Sequence, residues 1–289
     1  KSFLRTVPFS LRRKTLTRLN YLFNSFLPTE KYPFETILSS PAVGLKGHPF
    51  KKKILYYIGC ATSIMDHMTG KAVLNVLHYT GVKVIMPDYQ VCCGRPALAW
   101  GDIQTARNLC EKNYRLFSRI QVDAILTDCS SCRQTLKESV YKLFDKSHPF
   151  YSEMVSLSKK VYEVTEFIVT LGMAMVPNSR FQHITYHVPC HIQGDKHIET
   201  APLKLQSKNK NLKITEMDQP NRCCGSAGIY YLKNPSIAAK LKIRKVQEIQ
   251  KTHAKTVISQ CPSCRFYLKQ ALTPEYEILH PISLFNRKE

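Results

Sequence analysis

Acidic side chains are scarce in this sequence: 21 Asp and Glu stand against 42 Lys and Arg, leaving a formal net charge of +21 in 289 residues. Such an excess suits nucleic acid, an anionic membrane surface or an acidic protein partner, and it equally describes a basic surface that is simply solvated. No recognition module for nucleic acid accompanies the charge, so nucleic acid is not expected as a partner. A G-x-G-x-x-G after a strand is also missing, which excludes the usual cradle for a flavin or nicotinamide. Neither a glycine-rich phosphate loop nor a Ser/His/Asp order of the hydrolase kind is present. The most apolar stretch, 167–176, is about half the ~20 residues needed to cross a bilayer, so no transmembrane helix is expected. No secretory h-region opens the sequence. Tryptophan occurs once, as Trp100, and is expected in the core.

Cysteine, by contrast, is abundant and ordered. Cys223-Cys224-Gly225 follows Cys190 after 32 residues and precedes Cys261-Pro262-Ser263-Cys264 by 36. Cys60, Cys92-Cys93-Gly94 and Cys129-Ser130-Ser131-Cys132 repeat that pattern with 31 and 35 intervening residues. The two copies differ by one residue in each gap, which marks a duplicated structural unit that absorbs ten of the eleven cysteines.

Five thiols per copy admit several readings. A disulfide framework belongs to short secreted chains, and this chain is long, lacks an h-region and has 44% hydrophobic residues to build a core. Tetrahedral zinc often uses C-x2-C but takes four ligands, leaving one thiolate over; zinc stays open for one of the halves. A chance cluster of buried thiols conflicts with the duplicated spacing. More than four soft thiolates favour an iron–sulfur cluster.

The double C-x31–32-CC-G-x34–35-C-x2-C resembles the CCG-domain (cysteine-rich) iron–sulfur proteins: the CCG-bearing subunit of heterodisulfide reductase, lactate-utilisation iron–sulfur proteins and the glycolate oxidase iron–sulfur subunit. The run Arg222-Cys223-Cys224-Gly225-Ser226-Ala227-Gly228-Ile229-Tyr230, with Pro235 and a basic helix after it, is most similar to the last of these. The resemblance spans roughly 53–285. It implies two tandem pseudo-symmetric Rossmann-like α/β halves, each offering a cluster site, and so one or two [4Fe-4S] clusters. All five cysteines of a half hold a noncubane cluster in the heterodisulfide reductase branch. It further implies an electron-transfer subunit, itself non-catalytic, that is reduced by a FAD-containing 2-hydroxy-acid dehydrogenase acting on glycolate or lactate. A subunit that cleaves disulfides at a noncubane cluster is the alternative, and a zinc-stabilised scaffold a third reading. Related proteins commonly carry ferredoxin-type motifs ahead of the CCG pair; none is seen here, so such a module upstream of Lys1 stands among the expected partners. The cytoplasm is the expected location, with peripheral contact at the inner face of the membrane left open.

The expected organisation is a basic connector over 1–50, a first cysteine-rich domain over 51–150 and a second over 151–289. The connector opens with an acid-free basic amphipathic segment over 1–27 and is broken by Pro28, Pro33, Pro41, Gly44, Gly47 and Pro49. Apolar runs at 53–58, 82–86 and 124–127 read as strands, alternating with helical patterns at 63–79 and 103–120 and a helix starting after Cys129. The second half repeats the plan with strands at 184–188, 212–215 and 256–259 and a basic helix at 236–251. A boundary is expected at 144–151, then a helix over 161–176. The thiols thereby fall at the carboxyl ends of strands, where open α/β sheets place ligands.

Gly94 and Gly225 are expected to let the chain turn tightly or approach a cluster without a Cβ clash. His187 and His191 flank Cys190 and are expected to hydrogen-bond towards cluster sulfur. Cys110 lies outside the repeat and is expected to be core filler.

Overall fold

The stretches of mostly apolar residues each form one short strand, and the amphipathic stretches between them form helices that return the chain for the next parallel strand. The structure, a computed structural model, describes residues 52–87, 90–172, 175, 177–206, 211–228 and 230–285, all within one unit of the chain that starts at Val43. The connector expected over 1–50 lies outside the described residues.

In the first half, β1 (Lys53–Tyr56), β2 (Lys83–Ile85), β3 (Ala124–Thr127) and β4 (Val161–Glu163) form a parallel sheet of order β2-β1-β3-β4. In the second, β5 (His183–Tyr186), β6 (Lys213–Ile214), β7 (Thr256–Ile258) and β8 (Glu277–Leu279) repeat it as β6-β5-β7-β8. The central strand β3 is buried at all four positions, the pattern of a parallel sheet covered on both faces. Around the first sheet lie α1 (Cys60–Met65), α2 (His67–Tyr79), α3 (Arg95–Trp100), α4 (Ile103–Ser118), α5 (Ser130–Leu143), α6 (Tyr151–Lys159) and α7 (Val164–Thr170). Around the second lie α8 (Lys196–Gln206), α9 (Tyr230–Lys233), α10 (Pro235–Lys251) and α11 (Pro262–Lys269), with 3-10 turns at Cys190–Ile192 and Pro281–Phe285. Among the described residues, no helix is long and apolar enough to cross a membrane.

Three expectations need correction. The helical pattern over 63–79 is two helices, because Asp66 breaks it and caps α2 by accepting from Thr69 N at 3.3 Å and from the Thr69 hydroxyl at 2.8 Å. The helix expected over 161–176 begins as a strand: Val161-Tyr162-Glu163 pairs with β3, and Glu163 then starts α7 with a capping box in which Glu166 N–H donates to its carboxylate and its own N–H donates to the Glu166 carboxylate. The first sheet therefore takes its last strand from beyond the boundary expected at 144–151. Trp100 is only half-buried and stands at the end of α3, with Lys233 Nζ 3.7 Å from the centre of its ring.

The halves cross over each other. α5, which begins at the first C-x2-C, packs on the 3-10 turn that carries Cys190; α11, which begins at the second, packs on α1, which carries Cys60. Two ion pairs pin the exchange. Arg133, right after Cys132, reaches Asp195 at 2.8 Å, and Arg265, right after Cys264, reaches Asp66 at 2.6 Å.

Candidate metal centre between the two halves

Each thiol is delivered by a strand end or by the helix start after it. Cys60 and Cys190 follow β1 and β5, while Cys129 and Cys261 occupy the N-cap positions of α5 and α11. At the first of these caps Cys132 N–H donates to Cys129 Sγ at 3.4 Å. Helix N-termini present N–H groups and a positive dipole end, which favours thiolate over thiol.

The CC-G turns have a structural cause that differs in part from expectation. Both Gly94 and Gly225 have φ +90°, so the tight turn is as anticipated. The close approach, however, is to a helix backbone: an added Cβ would stand 3.3 Å from Ala106 O at Gly94 and 2.5 Å from Ala238 O at Gly225. The glycines seat the cysteine pairs on α4 and α10 and do not line the cavity between the halves.

All eleven cysteines are free. Ten assemble into two sets connected in the same order. Hydrogen bonds run through Cys60, Cys92, Cys93, Cys132 and Cys129 in the first half. They run through Cys190, Cys223, Cys224, Cys264 and Cys261 in the second, where Cys224 and Cys264 Sγ lie 3.2 Å apart. Both sets open on one cavity of about 130 Å³, which Cys92 alone of the ten does not line. A single water takes roughly 10–15 Å³ on this measure, so the space admits a group of several atoms. Cys110 sits apart in the first core, 1% exposed, its thiol pushed up to about 12 chiefly by burial; core filler describes it.

Crowding makes the thiols share protons unevenly. Cys93 is pulled down to about 5, first by the hydrogen bond from Cys132 and then by that from Cys92. Cys223 falls to about 2 through hydrogen bonds from Cys190 and Cys224, and Cys224 rises to about 12 mainly because of Cys223. A set of this kind ionises completely only when a cation offsets the mutual repulsion. Soft sulfur donors at such density fit an iron–sulfur group, and a buried nitrogen adds to the fit.

That nitrogen is on His187, 1% exposed. Its Nδ1 donates to Pro220 O at 3.2 Å, which leaves Nε2 with its lone pair and no hydrogen-bond partner. A ring nitrogen of His187 and the Cys224 and Cys264 sulfurs lie within 4.8 Å of one another. Burial, then the charge of Lys245, pushes His187 down to about 4, so the ring is neutral and its lone pair available. With its proton on Nδ1, the ring has no N–H left to donate towards sulfur, and Nε2 offers a lone pair instead. His191 lies on the cavity wall, with Ser131 Oγ 2.7 Å from its Nδ1 and Arg95 Nη2 2.7 Å from its Nε2.

Sequence reasoning did not reach Arg95, Ser131, Arg133, Arg265, Asp66 or Asp195. One signal was there to use: an arginine follows each C-x2-C in both copies, as Cys132-Arg133 and Cys264-Arg265.

With this geometry established, likeness to known proteins becomes informative. The family model CCG, cysteine-rich domain, matches residues 54–137 and 184–269, bracketing the two sets. The chain is 31% identical over 225 residues to a subunit of the fumarate reductase (CoM/CoB) of Methanothermobacter marburgensis, across 77% of this chain and 43% of that protein. It is 32% identical over 214 residues to lactate utilization protein A of Bacillus pumilus, across 73% and 88%. It is 27% identical over 238 residues to the probable glycolate oxidase iron-sulfur subunit of Bacillus subtilis, across 81% and 52%. The chain thus spans about half the length or less of the first and third of these relatives.

Proposed function

This chain belongs to the CCG cysteine-rich domain family, and from that premise we propose that it is the iron–sulfur electron-transfer subunit of an oxidoreductase that oxidises a 2-hydroxy acid. The observation that carries the reading is the convergence of two five-thiol sets, connected in the same order, on one cavity. Cys60, Cys92, Cys93, Cys129 and Cys132 would hold one [4Fe-4S] group, and Cys190, Cys223, Cys224, Cys261 and Cys264 a second; five thiolates per site suit the noncubane form. When bound, such groups accept and return single electrons. The protein's residues supply sulfur ligands, exclude water through the burial of Cys93, Cys129, Cys132, Cys224, Cys261 and Cys264, and bring the two sites face to face. The partner is a FAD-containing 2-hydroxy-acid dehydrogenase: the names of the Bacillus relatives support the 2-hydroxy-acid substrate, and removing hydrogen from such a carbon is chemistry that normally falls to an organic cofactor.

Anaerobic purification tests this directly. The protein should be brown, with iron and acid-labile sulfide in near-equal amounts fitting one or two four-iron groups. Alone it should leave a dye unreduced with glycolate or lactate, and the flavoprotein should restore turnover. Colourless protein holding only zinc after reconstitution refutes the reading. A second reading draws on one observation: Cys190 alone of the ten thiols is exposed. An exposed ligand suits a site that cleaves disulfides itself, and cleavage of a thiol-derived disulfide by the isolated chain would move the assignment there.

A further inference from the structure

Near-symmetry of the two thiol sets makes their departures from symmetry informative. The arginine clamps are mirrored, Arg133 to Asp195 and Arg265 to Asp66. One polar unit is not. Arg95 and Ser131 come from the first half, His191 from the second, and all three line the cavity. Aligning Cys60 with Cys190, Gly94 with Gly225 and Cys129 with Cys261 puts Ala61, Ser226 and Ser263 at the mirrored positions. Ala61 has no side-chain group that can donate or accept, so the first set has no counterpart of this unit.

The direction of the hydrogen bonds follows from chemistry. A guanidinium only donates, so His191 Nε2 accepts from Arg95 Nη2 at 2.7 Å and the ring proton sits on Nδ1. Nδ1–H then donates to Ser131 Oγ at 2.7 Å, which leaves the Ser131 hydroxyl proton free to point at Cys261 Sγ, 3.6 Å away, and His191 itself also hydrogen-bonds the Cys261 sulfur. Positive charge at one end is thus relayed to a hydrogen bond on a sulfur of the second set, delivered by side chains of the opposite half.

We infer that Arg95, His191 and Ser131 form a positioning unit that gives the group held by the second set a higher reduction potential than the group held by the first. The inference rests on the iron–sulfur reading above. Hydrogen bonds to a ligating sulfur and a nearby cation both stabilise the more negative, reduced state. The exposure of Cys190 works in the same direction, since solvent also stabilises added charge. The unit assigns an order: the first half is the donor side of the pair and the second the acceptor side.

The test is a redox titration of anaerobically loaded protein followed by electron paramagnetic resonance, with the signal weakened in Cys224→Ser taken as that of the second half. Wild type should show two midpoints, the second-half signal at the higher potential. Ser131→Ala, His191→Ala and Arg95→Met should lower that midpoint and leave the other in place, and Arg95→Lys should restore most of the shift lost in Arg95→Met. A reversed order, no shift, or equal shifts of both signals overturns the inference. So does a loss of iron and sulfide in all three deletions, because the unit would then be building the site and not tuning it. A metal-free readout stands beside this one: nitrogen-15 NMR of reduced apoprotein should find His191 protonated on Nδ1 and bare on Nε2, and Arg95→Met should give a tautomer mixture. An Nε2-protonated ring in the wild type breaks the relay and sinks the inference while leaving the iron–sulfur reading intact. Wild type without any iron–sulfur signal removes that reading, and this inference with it.

Discussion

Arg133→Met should cost about 3–5 kcal/mol of stability. Its guanidinium is 7% exposed and donates to both oxygens of Glu166, from Nε at 3.0 Å and Nη2 at 2.9 Å, and to Asp195 at 2.8 Å. Deleting it leaves the Glu166 carboxylate, 10% exposed, without its cation. An uncompensated buried charge is the expensive outcome of breaking an ion pair. Asp195 adds little because it is 41% exposed, and partners of that kind are worth on the order of 0–1 kcal/mol. Equilibrium unfolding of the reduced, metal-free protein in denaturant measures the loss as a fall in midpoint at unchanged slope. Adding Glu166→Gln should recover most of it, since the amide removes the stranded charge and keeps an acceptor for the Glu163 N–H. A loss below about 1 kcal/mol in the single variant, or no recovery in the double, would refute the reasoning.

Gly225→Ala and Gly94→Ala share the strain of a left-handed residue, about 1–2 kcal/mol, but only the former drives a Cβ to 2.5 Å of a helix carbonyl, so it should lose at least about 1 kcal/mol more; equal losses would contradict the packing argument. Burial pushes the Glu163 carboxyl up, yet the hydrogen bond and charge of His280, with Thr165 and Gln260, outweigh it and hold the group below its ordinary 4.5. Its folded value is the depressed one, so its contribution is fully present above about pH 4.5 and lost as pH falls through the folded value; Glu163→Gln should destabilise at pH 7 by an amount that shrinks as the pH falls below 4.5, and a pH-independent difference would count against the pairing. Cys93→Ser should remove the first-half iron signal and spare much of the second, Cys224→Ser should do the converse, and Cys110→Ser should leave iron content unchanged. Total loss of both signals from either ligand change would mean a single shared group.

Much of the fold was legible because the thiols and the strands obey one rule. A parallel strand that is buried on both faces must be apolar along its length, and 124–127 accordingly matches β3 residue for residue. Two of the four edge strands, β4 and β8, were not legible: Val161-Tyr162-Glu163 and Glu277-Ile278-Leu279 are three residues long and each carries an acid, so neither gives an apolar run, and the first continues straight into a helix. Trp100 defeated composition reasoning because its ring faces Lys233 across the halves, a contact that no local pattern encodes. The ten thiols could be named from spacing alone, whereas their convergence on one cavity could not, since spacing within a half is silent about the other half.

That convergence follows from where the duplication put its charges. An arginine after each C-x2-C reaches an aspartate beyond the first cysteine of the other half, Asp195 after Cys190 and Asp66 after Cys60. The dependence is unequal: Glu166 of its own half already pairs with Arg133, whereas Arg265 finds its carboxylate partner, Asp66, in the other half. A single half would leave Arg133 only Glu166, and Arg265 only the carbonyl of Ser259 at 2.8 Å. Because the clamps are reciprocal, they fix the two sets face to face without distinguishing them. Differences between the sites must then come from residues the clamps do not constrain, and the cavity wall, where His191 stands opposite the position of Ala61 in the other copy, is where the two copies have diverged.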